Sequence, residues 1–409
     1  MRIRLHHLRF NRSLERNLLE TSISVHKHNS TIILGIYFFS FFILNPFFAI
    51  FIMALFSLLV SGNSKSILFM LTIALTIFYS SRNIGVSWGS GGDDAPSYIL
   101  NYQDNLHYSL VDIFHRSTSP GKSPEILYFG FWWIIGKVFG SEPRTFVFLI
   151  YLTQVTLLGI TAYLVSRRYA IIFIFVFYFG LFDPNHQILH LWRVSFAFFI
   201  FLVGISIYFK GNKKIGRLLI YSASGFHVSI IVCIIIFELF VYLIKKRNFF
   251  QTIVVGAIIF AILTFFWKAL IIYFSSKAAG IFFYSIESSL GVRRLILYGI
   301  VLIIMIYAHT KYKLSPISQF SSFLFIMYLI LLFQLGLNNP IMTRLIQIMV
   351  PIVGIVFFEI VMKQSKGIIV FIIIILFLHV IISPSSEMFL QMIPEYKDPF
   401  YGIFNILYF

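Results

Sequence analysis

The chain has 409 residues, 59% hydrophobic, 19% aromatic and only 11% charged, with a mean hydropathy of +0.90. Soluble globular domains carry roughly 25% charged residues, so this composition excludes an ordinary soluble enzyme and calls for lipid as the solvent. A formal charge of +17 would suit nucleic acid, but the basic residues come in short runs between apolar segments, which marks cytoplasmic loops and leaves nucleic acid no role.

The first 30 residues are polar and basic and predict a cytoplasmic segment without a cleavable signal peptide. The later basic runs are Arg167-Arg168, Lys210 to Arg217, Lys245-Lys246-Arg247, Lys311 with Lys313, and Lys363 with Lys366. Between them lie apolar segments long enough to cross a bilayer, at 67–83, 144–166, 190–209, 249–267, 293–309, 317–335, 342–362 and 367–384. The short run 169–183 must also cross if the basic loops flanking the 169–209 pair are both inside. Residues 31–60 and 215–244 are too long for single ordinary spans and are basic at both ends. Each reads as a helical hairpin, broken at Asn45-Pro46 and at Gly225 respectively. For 31–60 the alternative is one long tilted helix. The expected fold is an all-α polytopic membrane protein of about 11 to 14 spans, with about 13 on this map.

On this map residues 31–384 form the transmembrane domain, with outer loops 84–143 and 268–292, and residues 385–409 form an outer tail. Most acidic residues, Glu125 and Glu142 among them, fall outside. Within the first outer loop, "EILYFGFWWIIGKVFG" at 125–140 is apolar but short, and reads as an interfacial or re-entrant helix with Trp132 and Trp133 at headgroup level. The single cysteine, Cys233, lies in an apolar stretch and offers no disulfide.

Arginines on the outer side run against the positive-inside trend, and these are Arg82, Arg193, Arg293, Arg294 and Arg344. A guanidinium beside or inside an apolar segment is costly and needs a partner, and its planar fork matches phosphate oxygens. Converging arginines would bind a phosphate or diphosphate head group; singly, each could be a snorkelling or salt-bridged side chain. Arg193 and Arg344, slightly inside their helices, are the strongest candidates.

A second group is "WGSGGDDAPSYILNYQD" at 88–104. Asp93 and Asp94 follow a glycine-rich turn, and Tyr98 and Tyr102 stand four apart on a predicted helix, so both rings share a face. With Trp88 they could wall a sugar site, and the carboxylates could bind hydroxyls, act as general base or hold an arginine. The plain alternative is a helix N-cap aspartate. Histidines supply a third group. His186 and His190 precede Arg193 with metal-compatible spacing, but no third ligand is evident and a metal is not expected. His227 in "SGFHVS" sits at a membrane break, where it either serves the chemistry or satisfies free backbone groups. No Walker-type loop, dinucleotide fingerprint or serine-nucleophile elbow occurs, which argues against activated nucleotides as substrates.

In order, these motifs are an arginine and a Gly-Asp-rich loop with tyrosines, then "LWRVSFAFFIFLVGISIYF", "SGFHVS", "TRLIQI" and a closing "MIPEYKDPFYG". The series resembles the EpsG-like branch of bacterial O-antigen and exopolysaccharide polymerases, the Wzy proteins, from about residue 31 to the tail. The usual Gly-Thr-Asp-Tyr loop of that family reads Gly-Gly-Asp-Asp here. The resemblance implies a metal-independent membrane glycosyltransferase of GT-C-like architecture in the bacterial inner membrane, with a periplasmic site and no cofactor. It implies undecaprenyl-diphosphate-linked oligosaccharides as donor and acceptor, with a chain-length regulator and a flippase as partners. The roles implied are catalytic for Arg193, Arg344, Asp94 and His227. Substrate binding falls to Arg82, Asp93, Tyr98, Tyr102, His190, Arg293 and Arg294. Rival readings are a flippase or transporter, which calls for midplane charges and repeat symmetry, an O-antigen ligase, and a membrane acyltransferase centred on His227.

Overall fold

The computed structural model describes residues 35, 39–40, 42–59, 64–88, 91–92, 94–118, 125–179, 188–189, 191–274, 292–335, 345, 349, 351–382, 392–393, 398 and 400. Among these the chain forms fifteen helices and a two-residue antiparallel ladder. In chain order they are α1 (Pro46–Leu59), α2 (Ser64–Ser80), β1 (Ser87–Trp88), β2 (Gly91–Gly92), α3 (Ala95–Asn105), α4 (Leu110–Thr118), α5 (Ile126–Phe139), α6 (Pro143–Val165) and α7 (Ala170–Phe179). Then follow α8 (Trp192–Phe209), α9 (Lys213–Phe226), α10 (Ile230–Ile244), α11 (Phe249–Phe274), α12 (Val292–Lys311), α13 (Pro316–Leu335), α14 (Val353–Met362) and α15 (Lys366–Ile382).

This is an all-α polytopic membrane protein, as its composition requires. Among the described residues, four helices are each long and apolar enough to cross a membrane unaided: α6, α8, α11 and α13. Several shorter apolar helices pack around them. Apolar residues run around most of the circumference of each, because lipid and protein interior are equally apolar surroundings.

The stretch 215–244 is a helical pair, α9 and α10, as its length predicts. The break lies at His227–Ser229 rather than at Gly225, which remains helical. A Cβ on Gly225 would lie 2.6 Å from Leu127 Cγ and Cδ1, so this glycine admits α5 to close packing and does not interrupt the chain. At Asn45-Pro46 the helix does break, and the buried Asn45 Oδ1 accepts the Phe47 N–H at 3.0 Å to start α1. Of the preceding arm of that expected hairpin only a few helical residues up to Ile43 are described, and the basic N-terminal segment and most of the tail lie outside the described residues.

Two helices form the centre. Every residue of α7 from Ala170 to Tyr178 is buried, against α1, α2, α6, α14 and α15. Nearly all of α8 is buried as well. Helix α8 meets α9 at very close range, because a Cβ on Gly216 would fall 2.7 Å from the Tyr208 backbone and one on Gly204 would fall 2.9 Å from the Ile220 nitrogen. Small residues on both helices let the backbones approach, which is how helices associate where no hydrophobic drive separates them from lipid.

The connections sort to two ends of the bundle. At one end the α6–α7, α8–α9, α12–α13 and α14–α15 links meet, carrying Arg167, Arg168, Lys210, Lys311, Lys313 and Lys363. There Gln364 donates to the Tyr312 hydroxyl at 3.1 Å, and Ser315 N donates to Glu359. Phe249 stacks on His309 with centroids 3.8 Å apart, which brings in the basic α10–α11 link. The opposite end gathers the close of α2, helices α3 and α5, the starts of α6 and α8, and the α9–α10 break.

Helix α5 fills the place expected for a re-entrant segment, but its tryptophans differ. Trp132 is 3% exposed and is surrounded by Tyr128, Phe131, Phe146 and Phe196. It is a core residue and no headgroup anchor, because Phe146 of α6 and Phe196 of α8 pack against its ring. Trp133 is half-buried and donates to the Tyr108 carbonyl at 3.0 Å.

Candidate functional site

Arg193 opens α8 at the end away from the basic links. Its Nη1 meets Glu125 Oε2 at 2.5 Å, and its Nε donates to the Tyr98 hydroxyl at 3.4 Å. The guanidinium also lies over the Tyr98 ring, 5.2 Å from the centroid. The arginine side chain keeps 29% of its surface exposed while the Glu125 side chain keeps 2%. A carboxylate so far removed from water needs a cationic partner and hydrogen bonds.

Glu125 has a second neighbour. His227 Nε2 lies 3.5 Å from Glu125 Oε1. On the other side of the ring, Nδ1 accepts from the Ser229 backbone N–H at 3.3 Å and contacts Ser229 Oγ at 2.5 Å. A backbone N–H only donates, so this geometry assigns the proton of a neutral His227 to Nε2, facing the carboxylate. The α9–α10 break is what delivers this ring: His227 is the extended residue that ends α9, and Ser229 precedes α10. The three side chains come from three separate places in the chain and form one line, Arg193–Glu125–His227.

Aromatic rings back this line. Tyr98 stacks on Trp192 with centroids 5.6 Å apart and meets Tyr128 edge-on. Burial holds the Tyr98 phenol above its ordinary value against the pull of Arg193, so it stays protonated and donates or accepts as a neutral hydroxyl. Trp192, fully buried, donates from Nε1 to the Tyr151 hydroxyl at 3.2 Å, and Gln154 donates to its carbonyl at 3.3 Å. These contacts fix the first turn of α8 on α6.

Arg82 is fully buried over the Trp192 ring, 5.8 Å from its centroid. It donates to the Leu189 carbonyl, to the Tyr151 hydroxyl at 3.2 Å and to the Asn83 carbonyl at 3.1 Å. The side chain expected to bind substrate therefore braces the segment that leads into α8. Arg144, which the sequence reading passed over, donates to the Ser80 and Arg82 carbonyls and holds the α2 exit.

Tyr102 shares the α3 face with Tyr98, as the spacing predicts, but its surroundings differ. It stacks on Phe146 at 4.0 Å and donates to the Gly140 carbonyl. Tyr102 is 3% exposed, so it packs α3 on the α5–α6 turn and is no part of an open sugar wall. Asp94 stands at the N-cap position of α3, exposed, but its side chain caps no helical N–H. Its charge reaches Tyr98 one turn on. Glu142 is the true side-chain cap, accepting from Thr145 N at the start of α6.

The structure thus brings together Arg193, His227, Tyr98 and, one turn from Tyr98, Asp94. The backbone of Trp88 lies in β1 and those of Arg293 and Arg294 in the first turn of α12. Their side chains, and all of Asp93, His186, His190 and Arg344, lie outside the described residues. Glu125 is the residue that sequence reasoning missed as a site residue. Its signal was an acid placed directly before an aromatic, apolar helix.

No curated protein and no solved structure matches the chain. The profile of the EpsG family matches residues 82–389, a stretch running from Arg82 past the end of α15 and containing every side chain of the arginine–carboxylate–histidine line. The chain belongs to the EpsG family, and is a membrane protein of the polysaccharide polymerase-like kind.

Proposed function

We propose that this protein lengthens a surface polysaccharide at the outer face of the bacterial inner membrane. A growing glycan on undecaprenyl diphosphate is transferred onto a new lipid-linked repeat unit. The observation that carries this reading is the partly exposed Arg193 held by Glu125 at 2.5 Å, at the end of the bundle opposite the basic links. By the positive-inside rule that end faces the periplasm.

In the reaction an acceptor hydroxyl attacks the anomeric carbon of the donor. A new glycosidic C–O bond forms, the bond to the diphosphate breaks, and the diphosphate leaves with the electron pair. Negative charge grows on the departing phosphate, where a fixed guanidinium is most effective. Arg193 takes that role. Glu125 and His227 hold it in place, and the Tyr98 hydroxyl orients it from the other side. Both His227 nitrogens face partners, Ser229 and Glu125, which favours the exposed Asp94 as acceptor of the hydroxyl proton. Arg344, Arg293, Arg294, Asp93 and His190 remain candidates for binding the lipid-linked substrates, and a GT-C-like arrangement suits such a site.

The test is surface-polysaccharide banding in a strain lacking the gene, complemented with wild type, Arg193→Ala or Arg193→Lys at matched protein levels. The expected result is a ladder only with wild type, and core bearing a single repeat unit otherwise. Lysine fails because it lacks the planar fork that meets Glu125 and Tyr98 together. A normal ladder in the deletion strain overturns the reading. Loss of even the single repeat overturns it too and points to a flippase or ligase.

A further inference from the structure

The other end of the bundle contains a cavity of 370 Å³. It opens between the α6–α7 link, the end of α8, the start of α13 and the end of α14. Phe209, Phe358 and Met362 give it an apolar floor, while Lys210 and Lys363 stand exposed on its wall. Each lysine is the C-cap residue of its helix, α8 and α14 respectively.

Charge decides what would fit. Among the described residues the ion pairs are Arg193–Glu125, Arg217–Glu238 and His227–Glu125, so neither lysine is matched by a carboxylate. The one acid in the cavity wall, Glu359, is already engaged. It accepts from Ser315 N at 2.9 and 3.1 Å, from Ser315 Oγ at 2.6 Å and from Ser318 Oγ at 2.5 Å. The cations of the wall therefore outnumber its one carboxylate and flank an apolar floor, with Arg167, Arg168, Lys313 and Lys366 adding positive charge on the adjoining links. A compact soluble anion would satisfy the lysines and leave the floor uncovered. A phosphodiester carrying hydrocarbon satisfies both, and a basic pocket between helices at the membrane surface suits such head groups.

We propose that this cavity binds the head group of an anionic phospholipid, its phosphate between Lys210 and Lys363 and its first hydrocarbon groups on Phe209, Phe358 and Met362. Such a lipid would sit where the α6–α7 link meets the ends of α8 and α14 and the start of α13. The inference stands apart from the polymerase reading, because it concerns the opposite end of the molecule.

The experiment is native mass spectrometry of the full chain from bilayers containing phosphatidylglycerol and phosphatidylcholine, with and without millimolar inorganic phosphate. Wild type should retain phosphatidylglycerol in preference to phosphatidylcholine, and phosphate should not displace it. The Lys210→Gln/Lys363→Gln double variant should lose retention at least tenfold, while Lys245→Gln/Lys246→Gln, which removes the same charge from a neighbouring link, should not. Ser166→Trp, which narrows the cavity and keeps both lysines, should lose it as well. Equal retention of the two lipids overturns the proposal, as does unchanged retention in the double variant or in Ser166→Trp. Displacement by phosphate assigns the site to a soluble anion and overturns it equally.

Discussion

Glu125 holds two partners at once, and its substitution separates position from charge. Glu125→Gln keeps the shape of the side chain but removes the anion facing Arg193 and His227. Hydrogen bonds to charged groups contribute about 1.5–3 kcal/mol, so a loss of activity of roughly tenfold or more is expected. Polysaccharide ladder intensity at matched expression measures it, and a wild-type ladder from Glu125→Gln would sink the positioning role. Arg193 and His227 were legible in the sequence because a lone ionisable group in an apolar run carries a cost that demands explanation. Glu125 was not, since an acid in an outer loop is cheap as long as it is solvated. In the folded chain it is buried against Arg193 and His227, which come from distant segments. The same limit applies to Arg82, whose position suggested a ligand while its surroundings make it a brace between Leu189, Tyr151 and Asn83.

At the scale of helices, apolar run length carried most of the information. The expected spans at 67–83, 144–166, 190–209 and 317–335 match α2, α6, α8 and α13 to within a few residues. What run length misses is which residue breaks a helix and which merely makes room. Gly225 looked like a break and serves as a contact surface for Leu127, whereas the chain turns at His227–Ser229. Gly216 serves packing in the same way. Its substitution by leucine would drive side-chain atoms into the Tyr208 backbone, which cannot yield as a flexible side chain does. Overpacking of this kind typically costs about 1–3 kcal/mol, and a lowered melting temperature of the purified protein in detergent is expected for Gly216→Leu. A melting temperature equal to wild type would show that α8 and α9 are not in close contact.

For the molecule as a whole, the separation of the arginine site from the basic links makes a directional claim that can be read with a thiol probe. The single cysteine, Cys233, is fully buried in α10, so the native chain should give no background with an impermeant maleimide. Ser141→Cys, in the exposed α5–α6 turn beside the site, should label in intact spheroplasts. Ser365→Cys, between α14 and α15, should label only after the membrane is permeabilised. The reverse pattern would place the site in the cytoplasm and end the periplasmic reading. Charge distribution alone foreshadowed this polarity, since the basic punctuation of the sequence recurs as one physical face. The convergence of α3, α5, α8 and α9 on one carboxylate lies beyond such counting, because it depends on contacts between segments far apart in the chain.

From Ala170 to Tyr178 every side chain of α7 is buried, so this stretch meets no lipid. A helix that faces lipid makes the bilayer adjust to its length by tilting or by local thinning. Here α7 is sheathed in protein, and α8, which carries Arg193, is nearly so. Hydrophobic mismatch therefore falls on the outer helices such as α11, whose flanks are open, and the depth of the arginine below the membrane surface becomes a fixed dimension of the protein, insensitive to the acyl-chain length of the lipids around it.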